Sequence, residues 1–393
     1  MNDLFTRLPH EIFTHPLRAY AYYRNTRLDL LNGISVAFSL KKLEEHLTTF
    51  ALNVDYKTPI VFHLSYEFGL YYNRLDLPSN IEESTPLALE IHYLKATRVS
   101  KQKLSASTPL PALTPVAPIP SYQEYKQAFK LGYEHLLNGD CYQFNLTFNH
   151  HFTIDHQSRV NDLIDQFFSN SKALAPFAHA TSIPKLNLLL LSNSPESLFE
   201  ISKCKLQTRP IKGSIHLHGH IDLQKAWQEM LASPKESSEL NMITDLLRND
   251  LTKIAHPYAY AKVLKHKARL LVPQIMHQYS IIEVELPSAT TLGKVLENIF
   301  PGGSVTGAPK KSSMRILQKL EHSPRGFYTG STIILHRKKI KASINIRTAV
   351  IDFKKNLLTY GAGGGITLLS KPQQEYQEMK LKVKSFIDLL NKI

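Results

Sequence analysis

The longest apolar run in this 393-residue chain is LNLLLL, residues 186–191, and its brevity constrains the fold more than any other feature. A helix that crosses a bilayer needs roughly 20 apolar residues in sequence, so no membrane association is expected. The apolar segments are of strand length instead. In the first hundred residues they alternate with turns, as in TPIVFHLSYEFGLYY at 58–72, which predicts antiparallel sheet. Residues 100–123, SKQKLSASTPLPALTPVAPIPSYQ, are rich in Pro, Ser, Thr and Ala, lack apolar periodicity and predict a linker or surface loop. A helix follows near YQEYKQAFKLGYEHLLNGD, with Gly139 as its stop signal. Beyond it helices and strands alternate irregularly, an α+β pattern. The expected division is a β-rich N-terminal subdomain at 1–100, a linker at 101–121 and a larger region at 122–393.

Two further helices and one strand carry the polar groups of interest. The first helix begins near Ser233, where Pro234 and Glu236 complete a capping-box pattern, and runs through SSELNMITDLLRNDL. The second follows Pro372 in SKPQQEYQEMKLKVKSFIDLL. Glu236 and Glu239 are three apart on the first, and Glu375 and Glu378 repeat that spacing on the second with Lys382 on the same stripe. Two such pairs can hold one Mg²⁺, which takes oxygen ligands. Acids in a first turn equally favour the helix macrodipole. Between the helices IKASINIRTAVIDF, 340–353, alternates as a single strand with Arg347 on its polar face. YGAGGGI at 360–366 then leaves a strand and turns, and Gly363, Gly364 and Gly365 let backbone amides approach a carboxylate. PGGSVTGAPK, 301–310, lacks the GK[ST] ending of a phosphate loop and reads as a tight loop entering a helix.

TRPIKGSIH, 208–216, sets Lys212 among apolar and turn-forming residues. A partly buried lysine is drawn toward the neutral amine, which can attack carbon; a lysine that snorkels out of a turn gives the same pattern. Sixteen residues earlier Glu196 follows an apolar run and a Ser-Pro turn, a position from which an acid of raised pKa could reach a cleft. Cys141 and Cys204 are too few for a disulfide scaffold or a thiolate metal site, and MNDLFTRLPHEIF lacks the regions of a secretory signal, so a cytoplasmic setting is expected. Net charge is 47 − 33 = +14. The basic residues are scattered without aromatic stacking motifs, so no nucleic-acid partner is expected, and a polyanionic small substrate suits the charge.

Read in order, NGDCYQFNLT, SNSPESLF, RPIKGS, KESSELNMITDLLRNDL, PGGSVTGAPK, RGFYTG, INIRT, GAGGG and QEYQEMKLK resemble the successive motifs of the chorismate-utilising enzymes over residues 120–393. The resemblance implies two large antiparallel sheets packed as a sandwich with helices outside, and a chorismate-binding catalytic region at 122–393. It implies Mg²⁺ held by Glu236, Glu239, Glu375 and Glu378, with Lys382 beside the ring carboxylate. Tyr328, Arg347 and the Gly363–Gly365 amides match positions that hold the enolpyruvyl carboxylate; Ser214, His277 and Ser304 match other cleft positions. Gln143 stands where the water-activating members place lysine, and PIKG is similar to component I of aminodeoxychorismate synthases. There the lysine matching Lys212 is the nucleophile, the acid matching Glu196 delivers a proton, and ammonia comes from a glutamine amidotransferase subunit. The alternatives are an anthranilate synthase component I and a non-catalytic basic binding protein on the same scaffold. Departures from the pattern are Ser214 and Ser304 for threonine, Leu240 for histidine or asparagine, and Leu369 for aspartate.

Overall fold

The computed structural model describes residues 3–99, 113–116, 120–154, 160–169, 173–217, 222–272 and 275–391. Every strand pairing is antiparallel, and the strands form two layers. In the first, Gln143–Thr153, Leu357–Ile366, Thr348–Asp352, Leu188–Ser194, Phe177–Ile183 and Phe5–Arg7 lie side by side. In the second the order is Glu11–Tyr22, Ala88–Arg98, Tyr56–Leu64, Ser331–Arg337, Lys339–Ile344, Ser197–Ser202, Lys205–Arg209 and Ile275–Glu285. Ile211–His216 and Lys262–Val272 flank the last of these. Phe5–Arg7 also pairs with Glu11–Tyr22 and so hydrogen-bonds the layers into one sheet. The expected sandwich is therefore present, with a join at one corner.

LNLLLL does not alternate because both of its faces are covered. Leu189 and Leu191 pack under the helices Tyr122–Leu137, Val160–Ser169, Lys310–Leu320 and Pro372–Asn391, while Leu190 points between the layers onto Phe13, Val61, Leu89 and Tyr93. A strand buried on both sides reads as a continuous apolar run. The second layer is covered by Leu40–Leu47, Tyr66–Tyr72, Pro234–Ala255 and Leu292–Ile299, which meet Phe62, Leu198, Ile282 and Ile333. Among the described residues no helix is long and apolar enough to cross a membrane.

Neighbouring strands change layers at one place. Leu188–Ser194 continues through Pro195 and Glu196 into Ser197–Ser202 of the other layer, and Lys339–Ile344 continues through Asn345–Arg347 into Thr348–Asp352. Strands switch sheets through bends and bulges, and here Arg347 has φ 51° and the register slips between Ser197 and Phe199. The single strand expected over 340–353 is thus two strands, with Arg347 in the bend. The turn expected at 360–366 is also corrected: Gly363–Gly365 are extended and pair with Thr147, Leu146 and Asn145. Most of the expected linker 101–121 lies outside the described residues; within it, Thr114–Pro115 pairs with Phe152 and Thr153.

Truncation of Leu190 to alanine, which empties the space between the layers, should lower stability by about 2–5 kcal/mol, measured by denaturant unfolding.

Candidate active site

Two features at the layer-switching corner place an acid and a cation. Ile344 N–H donates to Glu196 O at 3.0 Å, the Ser194 hydroxyl donates to Ile344 O at 2.5 Å, and Asn193 N–H donates to Arg347 O at 2.9 Å. Glu196 is held in the bend at 7% exposure. Burial raises its carboxyl pKa; the Ser304 hydroxyl and the Lys212 charge oppose that rise without cancelling it. Arg347 is exposed beside the strand that carries Tyr360, and its charge acts on that phenol.

Lys212 owes its direction to the next residue. Lys212 pairs with Gln278 and Ser214 with His277, so Gly213 is the extra residue of a bulge, with φ +73°. Only glycine takes that conformation without strain, and a bulge re-aims the neighbouring side chain. The Lys212 ammonium, with its side chain 14% exposed, lies 3.4 Å from Glu239 Oε2. A Cβ on Gly213 would lie 3.0 Å from Glu236 Oε2. The helix bearing both glutamates starts at Ser233, whose hydroxyl accepts from Glu236 N–H, with Pro234 next as expected. His277 Nδ1 lies 2.9 Å from Gly213 O; the Ser214 side chain lies outside the described residues.

A second group forms on the glycine-bearing strand. Lys382 Nζ donates to Gly363 O at 2.9 Å and pairs with Glu378 Oε1 at 2.8 Å. Glu375 is buried, with Oε2 3.3 Å from where a Cβ on Gly364 would lie. A Cβ on Gly363 would overlap Leu146 O, so glycine serves close strand approach there. Thr348–Asp352 pairs with this strand only as far as Tyr360, leaving the edge of Gly361–Ile366 without that neighbour, and the Tyr328 ring packs against Gly361.

The two groups meet at residues 303–308. The short helix Gly303–Thr306 presents Ser304 toward Glu196, and Gly307–Ala308 pairs with Gln143 and Phe144, while the Gln143 amide abuts Gly365. Lys310 ends this loop largely buried, its ammonium 3.3 Å from Asp250; burial lowers its pKa and Asp250 opposes.

Sequence reasoning missed the residue that ties these segments together. Arg325 is buried over the Tyr66 ring, with CZ 4.3 Å from the centroid. Its guanidinium donates to both Glu321 oxygens at 2.7 Å, to Val305 O at 2.8 Å, to Asn145 O at 2.7 Å and to Thr329 Oγ1 at 3.2 Å. Glu321 also accepts from Thr147 N–H and hydroxyl. The only sequence signal was the Arg-Gly pair of RGFYTG. Leu240, the departure beside Glu239, is fully buried in the helix-covered core.

The four carboxylates would offer a metal all-oxygen donors, the chemistry Mg²⁺ takes, and Glu239 and Glu375 are buried. Each pair already has a lysine on one member, Lys212 on Glu239 and Lys382 on Glu378. Among the described residues no three His, Cys, Asp or Glu side chains converge at metal-binding distance.

A family profile described as "chorismate binding enzyme" matches residues 35–388. The chain is 34% identical over 272 residues to aminodeoxychorismate synthase component 1 of Klebsiella aerogenes, covering 69% of this chain. It is 33% identical over 276 residues to the protein of that name from Escherichia coli, also covering 69% of this chain. It spans 58% of the length of each relative. Anthranilate synthase component I from Streptococcus pneumoniae shares the fold at TM-score 0.76 and 20% identity, over 98% of this chain and 92% of that one.

Glu67 gives a pH test of the Arg325 centre. Its Oε1 accepts from Arg325 N–H at 2.7 Å, and burial pushes its carboxyl up to about 7 from 4.5. Well below 4.5 the folded and unfolded chains both hold the proton. Between 4.5 and 7 the unfolded chain releases it first, so stability falls as pH rises through that window. Glu67→Gln should remove this loss and exceed wild type by about 3 kcal/mol above the window, read as urea-unfolding free energy against pH.

Proposed function

This chain belongs to the family of chorismate-binding enzymes, and on that premise we propose that it acts as the first component of an aminodeoxychorismate synthase. It would convert chorismate and ammonia to 4-amino-4-deoxychorismate, a precursor of 4-aminobenzoate and folate. One observation carries the reading: Lys212, aimed by the Gly213 bulge, acts by its charge on Glu196, a buried acid whose pKa burial raises. A member that uses water as nucleophile would need no nucleophilic lysine there, and the names of the similar proteins from Klebsiella aerogenes and Escherichia coli agree.

The chemistry follows from those two side chains. The Lys212 amine attacks C2 of chorismate, both ring double bonds shift, and the C4–O bond breaks as Glu196 gives its proton to the departing hydroxyl. Burial favours the protonated form of Glu196, the form a general acid uses. Ammonia then attacks C4, both double bonds shift back, and the C2–N bond to Lys212 breaks. Water is the balancing product, and the proton returns to Glu196. Arg347 and Tyr328, with the open edge of Gly361–Ile366, would hold the enolpyruvyl carboxylate. Ser304, His277 and Ser214 would line the cleft. Glu236, Glu239, Glu375 and Glu378 would hold Mg²⁺, which supplies positive charge for the ring carboxylate, with Lys382 beside it. A glutamine amidotransferase subunit would deliver the ammonia in the cytoplasm.

With chorismate, Mg²⁺ and ammonium at mildly alkaline pH, mass spectrometry should find aminodeoxychorismate. Lys212→Ala and Glu196→Gln should each lower kcat by about 10²–10⁴-fold. Anthranilate as the product would remove this reading in favour of the other amination.

A further inference from the structure

Gln278 has no part in the chemistry above, yet it lies at the centre of the Lys212 side of the site. It is fully buried in a row with Met276, Ser280 and Ile282 on the face toward the helix Pro234–Ala255. Its Nε2 donates to Glu236 O at 3.0 Å. That bond fixes the amide: the group facing a carbonyl must be the NH₂, so the other end is the carbonyl oxygen. Oε1 has no donor. An unmatched buried acceptor costs about 1–3 kcal/mol, and a methionine of similar volume would avoid that cost. Folded chains retain few such atoms, and a donor that arrives during function is one reason to keep one.

Lys212 can be that donor. It is the cross-strand partner of Gln278, and residues directly opposite on one face have Cβ atoms about 5 Å apart. Gln278 Nε2 lies 3.3 Å from where a Cβ on Gly213 would be, so the bulge and the amide share that face. The present partner of Lys212 is Glu239 at 3.4 Å, outside the normal hydrogen-bond range of about 2.7–3.2 Å. That glutamate is also one of the carboxylates available to a bound cation. An ion pair tolerates a wide range of angles, whereas a carbonyl oxygen fixed by its own NH₂ prescribes a direction.

We propose that Gln278 is a positioning residue that gives Lys212 a second seat: when Glu239 turns to a cation, Nζ donates to Gln278 Oε1 and is held in one orientation for attack. The inference rests on Lys212 as the nucleophile and adds the group that orients it.

The test uses the full chain with Gln278→Met and Gln278→Asn. Misdirecting an attacking group costs rate more than affinity. Gln278→Met should therefore lower kcat at least about tenfold with KM for chorismate changed less than about twofold. Gln278→Asn, which withdraws the amide by one methylene, should fall between it and wild type. A second readout needs no turnover. With Mg²⁺ present, acylation of Lys212 by acetic anhydride is followed by peptide mass spectrometry against exposed Lys338. Gln278→Met should slow it severalfold, leaving Lys338 unchanged. Wild-type kcat and wild-type labelling in Gln278→Met would overturn the seat, as would a rise in KM alone. If Lys212→Ala keeps full turnover, the nucleophile assignment fails, and the labelling comparison still decides where Nζ sits.

Discussion

A buried guanidinium holds the site's separate pieces in register. Arg325 donates to one carboxylate and to carbonyls from two segments distant in sequence. A charge removed from water is tolerated only when paired and fully hydrogen-bonded. Glu321 supplies the pairing and the carbonyls the rest. Because Val305 belongs to the segment of Ser304, and Asn145 to the strand of Gln143, satisfying Arg325 sets the spacing of the cleft walls. The unusual proton affinity of Glu67 follows from the same dry surroundings.

The corner where strands change layers does the other half of the placement. One bend sets Glu196 inward and the adjacent bend turns Arg347 outward. Backbone bonds between Glu196 and Ile344, and between Asn193 and Arg347, make the two bends one unit. The acid and the arginine are thus directed apart by the fold, one buried and one exposed.

Much of this was legible in the sequence, and the failures have physical causes. Strand-length apolar runs gave the sheet-rich class, and Ser233, Pro234 and Gly139 marked helix ends through local chemistry. Residues 340–353 read as one strand because alternation persists across the bend; only tertiary pairing reveals the break at Arg347. Gly363–Gly365 read as a turn because glycine is permissive, whereas here the segment is strand, and at Gly363 glycine is required by the overlap any side chain would make with Leu146 O. The glutamate pairs were found by spacing, but their division between two lysines depends on partners nearly thirty residues away in one case and four in the other. Arg325 gave almost no signal, since two of its acceptors are backbone carbonyls of segments distant in sequence, which no side-chain pattern records.

The join through Phe5–Arg7 has a bearing on how the protein is made. That strand pairs with Phe177–Ile183, Tyr56–Leu64 pairs with Ser331–Arg337, and Gln143–Thr153 waits for Leu357–Ile366. Such distant pairings make assembly slow, because long loops must close before their contacts form. During synthesis the strand of Gly363–Gly365 and the helix of Lys382 cannot dock until the ribosome has passed both, so a shorter nascent fragment carries Lys212 and Glu196 without those two elements.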